Sequence, residues 1–210
     1  MLGCASPRQT SSLIPEMELS SKSFAEAKKS IADRDSLLAL CREYADRVRD
    51  IDLLRDVQDC WMDLDKDAAR AYFANLYRQN PDSVCCIYLH GRILSDRIER
   101  IEIGRRAIDL APDWGYGYRL VLYSYYTHLF LERGDPETTA ALQVLFERDE
   151  DLFLDFDRIA EDRWFNGKML FYYYLYKDDL RSAEVELERA HEWEWKWVDE
   201  AELYLRNRSD

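Results

Sequence analysis

The stretch ARAYFANLYRQNPD (Ala69–Asp82) is a helical run that ends in Asn-Pro-Asp. RIEIGRRAIDLAPD (Arg100–Asp113) repeats this pattern about thirty residues later and ends in Ala-Pro-Asp. A third stretch, Ala183–Lys196, keeps the spacing of small and apolar residues but has Trp195 in place of the proline. A helix that recurs at such a period and ends on proline is typical of a helical repeat array. The sequence therefore predicts stacked helical pairs, an architecture that mostly binds other molecules.

The composition predicts an all-α fold. Only seven glycines and five prolines interrupt the 210 residues, and runs of Ala, Leu, Glu, Arg and Asp follow one another with short breaks. We find no run of alternating β-branched residues, which a strand would require. The five cysteines form no CxxC pair. Cys41, Cys60 and Cys85 occupy apolar helix positions, so we expect them to be reduced and buried.

The charge of the chain argues against nucleic acid as a partner. The formal net charge is −13 at pH 7, and an acidic chain repels phosphates unless its cations gather on one face. The acidic surface is expected to keep an aromatic-rich protein soluble, or else to attract a basic partner. No segment is apolar for eighteen residues, so we expect no transmembrane span.

Residues 1–22 are rich in Ser, Pro, Thr and Gln and are predicted to be a flexible leader. Met1-Leu2-Gly3-Cys4 resembles the end of a bacterial lipoprotein signal, in which a small residue precedes the lipidated cysteine. Cys4 is therefore a candidate lipidation site, although the apolar region of such a signal does not precede it in this sequence. We expect a soluble cytoplasmic protein by default, and a membrane-anchored periplasmic lipoprotein as the alternative.

From about Asp50 onward the sequence resembles the tetratricopeptide repeat (TPR) family. In that family, helix B carries alanine, an aromatic residue four positions later, and a closing proline. Ala69, Phe73 and Pro81 occupy these positions in one unit, and Ala107 and Pro112 occupy two of them in the next. The resemblance implies a TPR-like right-handed solenoid of antiparallel helix pairs over residues 23–210. Its parts are units at about 50–83, 84–114, 115–148 and 164–197 and a C-terminal capping helix in 198–210.

Two features depart from the TPR pattern. Gly104 occupies the aromatic position of the second unit, which leaves less bulk between the helices. The third unit lacks alanines in register, and the segment 149–163 fits no unit. The resemblance therefore predicts an irregular third unit.

In TPR proteins the first helix of each unit lines a concave groove. The corresponding positions of this chain carry tyrosines together with Arg92, Arg119 and Lys168. Tyrosine offers broad contact area at low entropic cost, and arginine binds a carboxylate through two hydrogen bonds. The resemblance implies a groove for an extended peptide or a C-terminal carboxylate. The candidate residues are Tyr88, Arg92, Tyr116, Arg119, Tyr123, Tyr126, Lys168 and Tyr172. Alternatively, several tyrosines pack between helices and the cations offset acidic neighbours.

Trp193 and Trp197 form a candidate interface. On a continuous helix they lie one turn apart and make an apolar ridge. We expect the ridge to seal the last unit against the capping helix, or else to anchor a partner or a second copy of the chain.

No residue pattern indicates catalysis. The three histidines are far apart in sequence, and the phosphate-binding, nucleophile-elbow and dinucleotide motifs are missing from the sequence. The Asp-x-Asp runs at 63–67 and 155–157 lack the glycine and glutamate of a calcium loop. We therefore expect neither an enzyme nor a cofactor or metal ion.

These observations together predict a non-enzymatic interaction module, a scaffold or adaptor whose partner is a protein or peptide. A homodimer is a further option. Two other functions stay open: a lipid-anchored accessory protein of the bacterial envelope, and a groove that encloses a small molecule against Tyr123, Tyr126 and Tyr172.

Overall fold

The computed structural model describes residues 19–131, 135–159 and 163–208. All regular secondary structure in these ranges is helical, which confirms the all-α prediction. The chain divides into two compact units, one up to Ala74 and one from Asn75 onward. Cys4 and the predicted leader up to residue 18 lie outside the described residues. The first helix begins at Ser21, slightly before the predicted end of the leader.

Polar caps start the helices of the first unit. These helices are α1 (Ser21–Ser30), α2 (Arg34–Arg47), α3 (Ile51–Leu64) and α4 (Lys66–Gln79), whose last residues belong to the second unit. Ser20, Asp33 and Asp50 precede α1, α2 and α3, and each side chain accepts a hydrogen bond from a backbone N–H of the first turn, at 3.1, 2.8 and 2.8 Å. Such caps satisfy N–H groups that have no partner within the helix.

Aromatic rings and thiols fill the core of the first unit. The rings of Phe24 and Tyr44 lie 4.9 Å apart between centroids, and those of Trp61 and Phe73 lie 6.1 Å apart. Cys41 is fully buried, and burial raises the pKa of its thiol to about 12. Cys41 and Cys60 are free, buried thiols as predicted, whereas Cys85 is only half-buried and its neighbour Cys86 is buried instead.

The second unit contains the remaining helices. They are α5 (Val84–Ile93), α6 (Arg97–Leu110), α7 (Gly115–Tyr125), which continues into a π-helical segment (Tyr126–Phe130), α8 (Pro136–Asp149), α9 (Asp151–Ile159), α10 (Arg163–Tyr176), α11 (Leu180–Glu192) and α12 (Val198–Arg208). α6 packs against both α5 and α7, and α10 packs against α11. The π-helical segment contacts α10, so the chain after α7 returns to the core through Leu129 and Phe130.

Helices α6 and α7 approach each other at two glycines. A Cβ atom on Gly104 would lie 2.8 Å from Val121 Cγ2 and 3.2 Å from the carbonyl oxygen of Gly117. A Cβ atom on Gly117 would lie 3.0 Å from the backbone nitrogen of Ile108. These distances are shorter than ordinary carbon contacts. The aromatic side chain that the TPR pattern expects at position 104 has no room, because the backbone of α7 lies there.

A buried carboxylate joins three helices of the second unit. Asp149, at the end of α8, has only 1% of its surface exposed. Its Oδ2 accepts a hydrogen bond from Tyr125 Oη at 2.7 Å, and its Oδ1 accepts one from Arg148 Nε at 2.7 Å. Arg105 of α6 also donates to Oδ1. Burial and the hydrogen bond to Asp149 raise the pKa of the Tyr125 phenol, so it remains a donor.

The chain leaves α11 through a turn that the sequence prediction did not contain. Glu194 has φ of 51°, in the left-handed region. The N–H of Trp195 donates to the carbonyl of Ala190 at 2.9 Å, and the N–H of Glu194 donates to that of His191 at 3.1 Å. This pair of bonds is the Schellman motif, which usually has glycine where Glu194 stands. A continuous helix through Trp193 and Trp197 is therefore wrong, and these residues form no ridge.

We expect Glu194→Gly to raise the free energy of unfolding by about 0.5–1 kcal/mol. Glycine adopts the left-handed conformation without the steric cost that an L side chain pays, although it also adds entropy to the unfolded chain. Urea unfolding followed by circular dichroism measures the change. Glu188→Gly, on the exposed interior of α11, is the control and is expected to lower stability. Equal losses in both variants would contradict the assigned strain at Glu194.

Candidate binding face

Helices α7 and α10 each present a row of aromatic and cationic side chains. Tyr116, Arg119 and Tyr123 follow one another at helical spacing on α7, and Phe165, Lys168 and Tyr172 do so on α10. Residues three or four positions apart share one side of a helix. The sequence therefore places one such row on each of two helices of the second unit.

Rings and guanidinium groups form the first part of the face, which we term the aromatic row: Tyr88, Arg92, Trp114, Tyr116, Arg119 and Phe165. The ring of Tyr116 lies 5.0 Å from that of Tyr88 and 4.9 Å from that of Trp114, between centroids. The Cζ of Arg119 lies 5.0 Å from the Tyr116 centroid and 5.4 Å from the Phe165 centroid. Contacts of this kind are worth about 0.5–1 kcal/mol each at exposed sites. Arg119 is thereby held between α7 and α10.

Burial within the aromatic row decides which groups a partner could touch. Tyr88 is only 4% exposed and supports the row from beneath. Arg92, whose Cζ lies 6.0 Å from the Tyr88 centroid, is half-buried, as are Tyr116 and Arg119. The half-buried guanidinium and phenol groups therefore form the accessible part of the row.

A carboxylate of the chain occupies the second part of the face, which we term the Glu200 cluster: Tyr126, Lys168, Tyr172 and Glu200. Tyr126 Oη donates to Glu200 Oε1 at 2.8 Å, and Lys168 Nζ donates to Oε2 at 2.6 Å. The Lys168 ammonium also lies 5.2 Å from the Tyr126 ring centroid. Glu200 comes from α12, so the capping helix turns one of its carboxylates toward the face.

The titration of these groups follows from their surroundings. Burial raises the pKa values of Tyr126 and Tyr172, so both phenols stay protonated near neutral pH. Partial burial acts to raise the pKa of Glu200, but hydrogen bonds from Lys168 and Tyr126 outweigh it and lower the pKa overall. The Glu200 side chain retains 48% exposure. The Lys168 side chain is only 15% exposed, so a carboxylate that displaced Glu200 would have to pair with this ammonium group in its place.

Seven of the eight residues proposed from the TPR resemblance fall into these two clusters. Tyr88, Arg92, Tyr116 and Arg119 belong to the aromatic row, and Tyr126, Lys168 and Tyr172 belong to the Glu200 cluster. Tyr123 lies between them, 46% exposed, with its ring 5.9 Å from that of Tyr126.

Besides Tyr88, two more of the eight residues pack inside the unit. Tyr126 is 4% exposed and Tyr172 is 1% exposed, and their ring centroids lie 4.8 Å apart. These two rings fill the space between their helices, as the alternative reading of the tyrosines expected. A partner can reach these two buried residues only at the exposed edge of the Glu200 cluster.

The two candidate interface tryptophans have different surroundings. Trp197 is 2% exposed and its ring lies 5.5 Å from that of Phe171, so it belongs to the core. Trp193 is 54% exposed. Only Trp193 of the two is therefore accessible to a partner.

Trp114, Phe165 and Glu200 are the members of the face that are not among the eight candidate residues. Trp114 directly follows the second Pro-Asp ending, which could have marked it as the residue that starts the next helix. For Glu200 we find no sequence signal, because its partner Tyr126 lies 74 residues away.

Comparisons with protein-family models, with curated proteins and with solved structures found no match for this chain. The TPR resemblance therefore stays a prediction that depends on the residues quoted for it. In the described ranges no group of three or more His, Cys, Asp or Glu side chains is placed to hold a metal ion. None of the helices there is long and apolar enough to cross a membrane.

Proposed function

We propose that this protein is a non-enzymatic interaction module that binds an acidic peptide segment, or a peptide C-terminus, along the aromatic row. In this proposal the helices form a TPR-like solenoid, and α5, α7 and α10 are the first helices of successive pairs. The peptide lies across these helices and its carboxylate meets the cations of the face.

The observation that carries the proposal is the position of Glu200. Tyr126 and Lys168 already hold a carboxylate of the chain at one end of the face, through hydrogen bonds of 2.8 and 2.6 Å. A carboxylate that arrives on another chain would find the same donor types in the aromatic row, where Arg92 and Arg119 lie beside rings. Arginine and tyrosine are also the residues that most often dominate peptide and protein interfaces.

The local charge of the face favours an acidic peptide, although the net charge of the chain does not. With a net charge of −13, most of the surface repels a carboxylate and attracts a cation. The face is a place where cations lie together, since Arg92, Arg119 and Lys168 are all on it. A local group of positive charges favours an acidic partner at that place on the surface, even though the net charge of the protein does not attract it.

Charge reversal on the face tests the proposal. Short random peptides displayed with free C-termini are selected on the wild-type protein, and the selected peptides are synthesised as free acids and as C-terminal amides. We expect Arg92→Glu/Arg119→Glu to weaken their binding at least about tenfold, because each lost charge-assisted hydrogen bond is worth about 1.5–3 kcal/mol. Fluorescence anisotropy measures the affinities.

A matched control is Arg78→Glu/Arg181→Glu, which makes the same change in charge at two exposed positions away from the face. This control should bind the peptides as the wild type does. In a further arm, Glu200→Gln removes the internal carboxylate, and we expect it to bind the free-acid peptides more tightly. If no peptide is selected, or if both double variants lose affinity equally, the face is not the binding site.

A further inference from the structure

A separate cavity of about 330 Å³ lies among α9, α10, α11 and the turn after α11. It shares no residue with the aromatic row or the Glu200 cluster. Its volume is at the lower end of the range for small-molecule sites. Six of the described residues supply its polar groups and aromatic walls: Asp157, Asn166, Glu186, Arg189, Trp193 and Trp195.

The charged groups of the cavity favour a cation. Asp157 and Glu186 contribute two carboxylates, and Arg189 contributes one guanidinium. Arg189 Nη1 lies 2.8 Å from Glu186 Oε1, so this guanidinium group already forms a salt bridge with one of the two carboxylates. The net formal charge of the lining is thus −1. Burial raises the pKa of Glu186, Arg189 acts to lower it, and the nearby carboxylate of Asp157 acts to raise it.

Asn166 is the buried polar group that points to a ligand with N–H donors. The residue is 3% exposed. Its Nδ2 donates to Asp157 Oδ1, and because a carboxylate only accepts, this bond fixes the orientation of the amide. Its Oδ1 has no hydrogen-bond partner among the described residues. Buried carbonyl oxygens in native proteins nearly always accept a hydrogen bond, so an unpaired one indicates a missing donor.

Two tryptophans form the aromatic wall. The rings of Trp193 and Trp195 lie 5.9 Å apart between centroids at an angle of 58°. The Schellman turn at Glu194 sets both rings in place, and Gly167 lets the Trp195 ring lie against α10, because a Cβ there would overlap the ring. Tryptophan faces attract cations more strongly than other rings do.

From this cavity we infer a binding site for a small organic cation with N–H donors, an alkylammonium or alkylguanidinium group. The cation lies against the tryptophan rings, its charge meets Asp157 and Glu186, and one of its N–H groups donates to Asn166 Oδ1. A single positive charge matches the lining. The same group could come from a free amine or from a lysine or arginine side chain of a partner.

The experiment titrates the full chain with four probes by calorimetry and by tryptophan fluorescence: n-butylguanidinium, n-butylammonium, tetramethylammonium and butyrate. We expect the first two to bind and to change the tryptophan emission. Tetramethylammonium should bind at least about tenfold more weakly because it has no N–H group for Asn166. Butyrate should not bind. Equal binding of butyrate and n-butylammonium, or no binding of either N–H cation, would overturn the assignment.

Variants locate the binding. Glu186→Gln removes one carboxylate and should weaken n-butylguanidinium at least about tenfold, whereas Glu188→Gln, an exposed change of the same kind on the same helix, should leave it unaltered. Should Glu186→Gln unfold by circular dichroism, Trp193→Ala replaces it, since Trp193 is 54% exposed and its loss spares the core. If the folded variant binds n-butylguanidinium as tightly as the wild type does, the cation binds elsewhere and the proposal is wrong.

Blocked tripeptides test whether the cation belongs to a free small molecule or to a lysine or arginine side chain of a partner. Acetyl-Gly-Lys-Gly-amide and acetyl-Gly-Arg-Gly-amide carry the same cations on a peptide. If they bind as tightly as the butyl probes, the site takes a side chain of a partner protein. If only the butyl probes bind, the ligand is a free amine or guanidine. Both results support the site, and failure of the two butyl cations to bind contradicts it.

Discussion

Asp149→Ala is expected to lower the free energy of unfolding by about 3 kcal/mol. Removing one partner of a buried ion pair costs about 3–5 kcal/mol, because the remaining charge is left uncompensated. Asp149 is 1% exposed, and its loss would leave Arg105 and Arg148 close together and the Tyr125 hydroxyl without its acceptor. Both arginine side chains keep access to water, at 30% and 41% exposure. The cost therefore lies at the lower end of that range.

The measurement is denaturant unfolding together with amide hydrogen exchange resolved by segment. Because the chain divides into two compact units, the exchange data assign the loss to helices of the second unit. Glu147→Ala removes an exposed carboxylate from the same helix and is the matched control. Tyr125→Phe should cost about 1 kcal/mol, the worth of one hydrogen bond. A loss in Asp149→Ala no larger than in Glu147→Ala would show that the buried network does not stabilise the unit.

Gly104→Leu is expected to lower the free energy of unfolding by a similar amount, about 3 kcal/mol. Overpacking a tight contact costs about 1–3 kcal/mol when side chains can yield. Here the nearest groups include the backbone carbonyl of Gly117, 3.2 Å from the position of the new Cβ, and the Cβ of Leu120 at 3.0 Å. Since a helix backbone yields less than a side chain, we expect the upper end of that range.

Thermal unfolding by circular dichroism measures the effect, and Asp109→Leu adds the same side chain to an exposed position of α6 as a control. Gly104→Ala should fall between the wild type and Gly104→Leu. Its smaller clash is partly offset by the better helix propensity of alanine, about 1 kcal/mol. If Gly104→Leu and Asp109→Leu unfold at the same temperature, the packing of α6 against α7 does not depend on the close approach at Gly104.

Local signals in the sequence predicted the helices and many of their ends. The proline at position 81 follows the end of α4, and that at position 112 follows the end of α6. The predicted capping helix in 198–210 corresponds to α12. Proline stops a helix through its own ring and missing N–H, so its effect can be predicted without knowledge of tertiary contacts.

The end of α11 could not be predicted in this way. A left-handed residue after a helix is usually glycine, and this chain uses Glu194 there. Glutamate favours helix interiors, so the sequence pattern indicated a continuous helix through the tryptophans. The turn forms although its residues do not favour it locally.

The candidate face, too, could be predicted from local sequence signals only in part. Helical spacing placed Tyr116, Arg119 and Tyr123 on one side of α7, and the structure agrees that they lie on one helix. That Tyr126 would bind Glu200 depends on the packing of α12, which no local pattern contains. The cation cavity was missed entirely, since its residues come from three helices and a turn.

The π-helical segment Tyr126–Phe130 changes the phase of the helix that contains it. The N–H of Leu131 donates to the carbonyl of Tyr126, five residues earlier, so this turn holds about one residue more than an α-helical turn. One residue corresponds to about 100° of rotation around an α-helix. A repeat numbering carried forward from α7 therefore falls out of step at this segment, and the residues before and after it have to be aligned as two independent series.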